Sequence, residues 1–141
     1  MSDNGPEDFN QAIIEEFRAN EGRVGGGFEG VPLLLLTMTG AKSGRRRTTP
    51  LTYFEEGGDR YVFGTFGGNP QHPAWFHNIV AHPAVEVEAG TERYDAEAEV
   101  VPAEERDRIW EAQRARMPAF RDYEKRTEGR QIPVIRLRRR G

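Results

Sequence analysis

A chain of 141 residues with 20 lysines and arginines against 23 aspartates and glutamates is the length of one domain, and its formal charge of −3 gives no general bias toward nucleic acid. It has no cysteine, which excludes disulfides and thiol catalysis, and no apolar run long enough for a secretory signal or a membrane span, so a cytoplasmic protein is expected. Hydrophobic residues make up only 36% of the chain, so a thin core completed by a bound cofactor or by a second copy in a homodimer is expected.

In chain order, residues 1–8 are polar and read as a disordered start to a single domain spanning 1–141. Asp8–Asn20 places Phe9, Ile13, Ile14 and Phe17 on one helical stripe with Glu15, Glu16 and Arg18 opposite, and Asn20 and Gly22 end it. This predicts a helix packed over one end of a sheet, with a lid as the alternative. Gly22–Gly30 is a glycine-rich connector. Leu33–Leu36, continued through Thr39, fits a strand buried on both faces.

Gly40-Ala41-Lys42-Ser43-Gly44 then supplies a turn, Arg45-Arg46-Arg47 follows, and Thr48–Phe54 resumes a strand. The result is a hairpin with a cationic tip suited to an anion: glycines that let backbone N–H groups form a nest, a short Ser43 donor, a point charge on Lys42 and a planar fork on Arg47. It is not a nucleotide phosphate loop, because no Gly-Lys-Ser/Thr opens a helix. Gly57-Gly58 marks the next hairpin and Arg60–Thr65 the third strand. Gly67-Gly68 lets a planar ligand lie on backbone, and Pro73 opens a short helix carrying the broad face of Trp75 and the donor–acceptor amide of Asn78. A planar heterocycle with a phosphorylated tail would use both arms.

Ala84–Glu88 and Glu92–Val101 read as a hairpin, Ala103–Arg116 as a helix with Ile109 and Trp110 inward, Pro118–Thr127 as a second short helical segment and Ile132–Leu137 as the closing strand. Met117, Phe120 and Tyr123 share one face at three-residue spacing and form a candidate substrate pocket. His72, His77 and His82 stand five residues apart, outside the three- or four-residue spacing of helical ligand pairs, so no metal site is expected. Arg136–Arg140 reads as a solvated strand end, with a peripheral membrane contact as the alternative. About six mostly antiparallel strands with flanking helices make an α+β, mainly β, barrel.

Five pieces carry a resemblance: Phe9-Asn10 to Asn20 with Arg23-Val24-Gly25-Gly26, LLLLTMTGAKSGRRRTTPL (Leu33–Leu51), GGNPQHPAWFHN (Gly67–Asn78), His82-Pro83 with Val85-Glu86-Val87, and Arg130–Val134. Over Phe9–Leu137 the chain resembles the deazaflavin-dependent nitroreductases, split β-barrels that use coenzyme F420. The resemblance implies an F420-dependent nitroreductase or quinone reductase that passes a hydride from the reduced deazaflavin to a small electron acceptor such as a quinone or nitroaromatic. By position, Lys42, Ser43, Arg47 and Thr48 would hold the phosphate and tail. Pro50, Thr52, Thr65, Phe66, Gly67, Gly68, Pro73, Trp75 and Asn78 would line the ring, and Tyr123 and Thr65 would be the catalytic residues. Phe66 and Thr65 stand where many members have lysine and serine. Two other readings compete: a flavin mononucleotide oxidoreductase on a similar barrel, and a single-stranded nucleic-acid surface built on Arg45–Arg47, Trp75 and Phe76.

Overall fold

The computed structural model of the chain describes residues 5–26, 30–65, 68 and 70–140, with side chains from residue 10 onward. Six strands close a barrel in the order β1-β2-β3-β6-β5-β4, every neighbouring pair antiparallel. They are β1 (Leu33–Thr39), β2 (Arg46–Glu56), β3 (Asp59–Phe63), β4 (Ala84–Ala89), β5 (Glu92–Val100) and β6 (Val134–Arg139). Four helices flank them: α1 (Gly5–Ala19), α2 (Ala74–Ala81), α3 (Ala103–Arg116) and α4 (Ala119–Arg126). The α+β, mainly β, architecture expected from sequence is the one observed. The first helix starts at Gly5, three residues before the expected Asp8, so residues 5–8 are helical rather than disordered; residues 1–4 lie outside the described residues.

Strand β1 is buried on both faces for a reason visible in its pattern. Leu34, Leu36 and Met38 point into the barrel with Val62, Val87, Ile135 and Leu137. Leu33 and Leu35 point outward and are capped by Ile13, Ile14 and Phe17 of α1. Leu34, Leu35 and Leu36 are wholly buried, and each such side chain contributes about 1.5–3 kcal/mol. That outweighs any of the surface ion pairs, which contribute about 0–1 kcal/mol apiece. The other end of α1 is fixed by a two-pronged pair, Arg18 Nε and Nη2 donating to the nearly buried Glu88 carboxylate at 3.1 and 2.7 Å.

The opposite outer face, on β3 and β6, is covered by α3 and α4. Ile109, Trp110 and Phe120 meet Phe63 and Val134 there, with Phe63 and Phe120 edge to face at 5.3 Å. Arg106 is buried in the same layer, its Nε donating to the Ile132 carbonyl at 2.9 Å and its guanidinium lying over Trp110 at 5.1 Å. Three of the C-terminal arginines are paired with carboxylates. Arg136 reaches Glu99 and Glu105, Arg138 reaches Glu99, and Arg139 reaches Glu92. No helix among the described residues is long and apolar enough to cross a membrane.

One seam of the barrel is incomplete. β2 pairs with β1 along Arg46–Thr52, but with β3 only from Tyr53 to Glu56. Among the described residues, no strand pairs with the other edge of the first half of β2. This explains how Pro50, which lacks an N–H, is tolerated within the strand opposite Leu35. The opening faces Thr65 at the end of β3 and lies under α1.

Candidate functional site

Two cavities lie side by side along this opening. The first, about 650 Å³, is walled by α1 (Asn10, Gln11, Ile14), by Met38 and by Arg47, Thr48, Thr49 and Leu51 of β2. Phe63, Thr65, Pro73, Ala74, Trp75 and Asn78 complete it. The second, about 350 Å³, is walled by Asn10, Ile13, Val31, Leu33, Pro50, Leu51 and Thr52. Phe63, Thr65, Met117, Phe120 and Tyr123 close it. Both volumes suit small-molecule sites. They meet at four shared residues: Asn10, Leu51, Phe63 and Thr65. A larger hollow of about 760 Å³ lies beyond the C-terminal end of α1, between Glu16 and Val31.

The division follows position along β2 and not its pleat, since Thr48 lines the first cavity while Pro50 and Thr52, on the same face, line the second. Thr48, Pro50 and Thr52 share the face that carries Thr37, Leu35 and Leu33 on the paired strand, whereas Arg47, Thr49 and Leu51 pair with Met38, Leu36 and Leu34. Arg47 and Thr48 mark the cationic end of the first cavity, while Pro50 and Thr52 mark the second. At the first cavity's other end, Trp75 is half-buried, packed on one side against the barrel interior.

The hairpin tip commits several of its own N–H groups. Gly40 N–H donates to the Arg45 carbonyl at 2.8 Å, Gly44 N–H to the Gly40 carbonyl at 3.0 Å, Ala41 N–H to Asn78 Oδ1 at 2.9 Å and Arg45 N–H to Ser43 Oγ at 3.1 Å. Those four N–H groups are committed within the protein. A Cβ on Gly40 would lie 2.6 Å from Ser43 Oγ, so a side chain there would turn that hydroxyl away from the Arg45 N–H. Lys42 and Ser43 are exposed and line neither cavity. Asn78 pins the tip to α2 through its oxygen, which leaves its NH₂ group to face the cavity.

Gly68 departs from expectation. It is buried, at φ +85°, and a Cβ on it would come within 2.8 Å of Arg126 Cβ and 2.9 Å of the Tyr123 carbonyl oxygen. Its missing side chain admits α4, not a ligand. Phe66 and Gly67 lie outside the described residues. Thr65 lines both cavities, and Met117, Phe120 and Tyr123 come together in the second. Phe120 doubles as core, stacked between Phe63 and Tyr123 at 5.3 Å from each.

Two features escaped the sequence reading. Arg130 donates to the Gly64 carbonyl, the Thr65 carbonyl and His72 Nδ1 at 2.9, 2.9 and 3.0 Å, holding both ends of the segment that follows β3. Because a guanidinium only donates, His72 Nδ1 is the acceptor and its proton sits on Nε2. Burial, with the Arg130 cation and His77 beside it, holds the His72 imidazole below its ordinary pKa. The other feature is Asn10, which reaches both cavities from α1. Only a helix folded back over the barrel brings it there, a contact that helical periodicity does not encode.

The donor set fits a large anionic heterocyclic cofactor: a guanidinium and a threonine hydroxyl at one end, a tryptophan face and an amide at the other. The family model for the F420H(2)-dependent quinone reductases matches residues 11–138. An F420H(2)-dependent quinone reductase of Mycobacterium tuberculosis H37Rv is 38% identical over 128 residues, 88% of this chain and 85% of that protein. A solved F420-H2 dependent reductase, FDR-A, superposes with a TM-score of 0.69 at 37% identity, over 75% of this chain and 93% of that one. A structure described as a domain-swapped dimer gives 0.71 at 33% identity, over 94% of this chain and 99% of that one.

Proposed function

The chain belongs to the F420H(2)-dependent quinone reductase family, and from that premise we propose that it reduces a small quinone, with cofactor and acceptor held in the two adjoining compartments. Reduced coenzyme F420 supplies a hydride, two electrons with one proton. The first compartment suits it, with Arg47 and Thr48 toward the phosphate and tail, Lys42 and Ser43 beyond the rim, and Trp75, Pro73 and the Asn78 amide toward the ring.

The second compartment suits the acceptor. Among the described residues its walls are apolar except for Asn10, Thr52, Thr65 and Tyr123, and none of these four side chains has a hydrogen-bond partner there. Such convergence of available polar groups in an apolar wall is the signature of a ligand site. The Tyr123 hydroxyl hydrogen-bonds the quinone oxygen and gives it a proton. Together with the transferred hydride this completes the hydroquinone, and solvent returns the proton to Tyr123. Apolar walls exclude water and fix the acceptor's distance and angle, a large share of such a barrier.

The observation that carries this reading is the junction at Phe63 and Thr65, where a cationic and aromatic compartment opens into one with unpartnered donors. Anaerobic oxidation of reduced F420 by a naphthoquinone, with and without enzyme, is the test. Enzyme-dependent turnover with F420 and none with reduced flavin mononucleotide supports the reading; flavin-driven turnover at the same enzyme concentration rejects it.

A further inference from the structure

We propose that Asn10, on α1, binds the acceptor directly: its carboxamide NH₂ donates to a carbonyl oxygen of the quinone at the junction of the two compartments. This rests on the two-compartment reading above and names a residue that the reading does not need. Among the described residues, Asn10 is one of four that line both cavities, and the other three stand on or beside the barrel: Leu51 and Phe63 are apolar, and Thr65 follows β3. Asn10 and Thr65 are therefore the polar side chains at the point where ring and acceptor must meet.

The Asn10 side chain is half-buried and has no hydrogen-bond partner among the described residues. Its neighbour Gln11, which lines only the first cavity, is engaged instead with Glu15 Oε2 at 3.3 Å. The helix that carries Asn10 is held in place one turn later by Ile13, Ile14 and Phe17 in the core and by the Arg18–Glu88 pair. Asn10 is thus presented from a secured element, which a positioned donor requires. A quinone carbonyl gains negative charge as the hydride arrives, so a donor there binds the activated acceptor more tightly than the resting one. Asn10 donates without transferring its proton; the proton inventory of the reaction is unchanged.

The test is equilibrium binding of a naphthoquinone to the cofactor-free protein, read by quenching of intrinsic tryptophan fluorescence, alongside steady-state kinetics and F420 affinity. Asn10→Leu should weaken quinone binding about three- to tenfold, the loss expected for one neutral hydrogen bond. It should lower kcat/KM for the quinone by at least as much and cost less F420 affinity than quinone affinity, as expected for a group on the shared wall whose hydrogen bond goes to the acceptor. Asn10→Asp, nearly the same shape without the donor, should show the same loss of quinone binding; Asn10→Gln should recover part of it. Unchanged quinone affinity in both Asn10→Leu and Asn10→Asp would overturn the proposal, as would an equal loss of F420 affinity in Asn10→Leu, which would make Asn10 a packing residue of α1. If the wild-type protein binds no quinone at all, both this inference and the assignment of the second compartment fall, whereas wild-type turnover with unaffected variants removes the Asn10 role alone.

Discussion

Arg47 and Lys42 look equivalent in sequence, two cations on one hairpin tip. The structure separates them, since Arg47 lines the first cavity and Lys42 is exposed outside it. Arg47→Ala should weaken F420 binding by about 1.5–3 kcal/mol, the value of a charged hydrogen bond. Lys42→Ala should cost less than about 1 kcal/mol, as for other exposed charges. Isothermal titration with F420 and with a fragment lacking the phosphate and tail distinguishes the roles: the Arg47 loss should vanish with the fragment. Tyr123 is the residue whose chemistry is most exposed to test. Tyr123→Phe removes one hydroxyl and little volume. If it delivers the proton, kcat for quinone reduction should fall by about 10²–10⁴, whereas a positioning hydrogen bond should cost about tenfold. An unchanged kcat and KM under saturating reduced cofactor would leave the hydroxyl without a role.

At the scale of elements, α4 and the segment after β3 decide whether the second compartment exists. Gly68→Ala places a methyl against the Tyr123 backbone at a φ that alanine adopts at a cost. Strain of this kind costs on the order of 1–3 kcal/mol, and relieving it moves Tyr123. The variant should have a lower urea midpoint and a raised quinone KM. Unaltered values for both would mean that α4 sits elsewhere in solution. The same segment is tied down by Arg130 and His72. Because burial and neighbouring cations lower the native His72 pKa, the unfolded chain takes up a proton first as pH falls. The stability contributed by the neutral ring is therefore complete above about pH 6.5, the ordinary histidine value, and declines below it toward the lowered native value. Protonation also turns Nδ1 into a donor facing the Arg130 guanidinium. Urea denaturation at several values between pH 7.5 and 5 should show a smaller acid loss in His72→Gln than in the wild type. Parallel curves would assign the pH dependence to other groups.

For the molecule as a whole, what could be read from residues alone follows from which signals are local. Strand β1 and helix α3 were legible because four leucines and the Ile109-Trp110 pair state their own burial. The cationic tip and the Trp75 block were legible as chemistry. Less legible was everything set by tertiary contact. The N–H groups of Gly40, Ala41, Gly44 and Arg45 are taken up by Asn78 and by the loop itself, and Gly68 serves helix packing. Pro50 and Thr52, expected beside Trp75 at the ring, line the second cavity with Met117, Phe120 and Tyr123 and not the first. Arg106 and Gln113 are buried on α3 although polar, because the Ile132 carbonyl and Met117 Sδ receive their N–H groups, and no helical hydrophobic pattern announces that.

The central claim is that cofactor and acceptor occupy adjoining compartments of one opening in the barrel. Titrating a naphthoquinone into enzyme saturated with oxidised F420, which cannot donate a hydride, tests it most directly. A ternary complex should form, with quinone affinity close to or above that of the cofactor-free protein and no release of F420 into a dialysis compartment. Stoichiometric displacement of F420 by the quinone would show that the two share one site and would contradict the account.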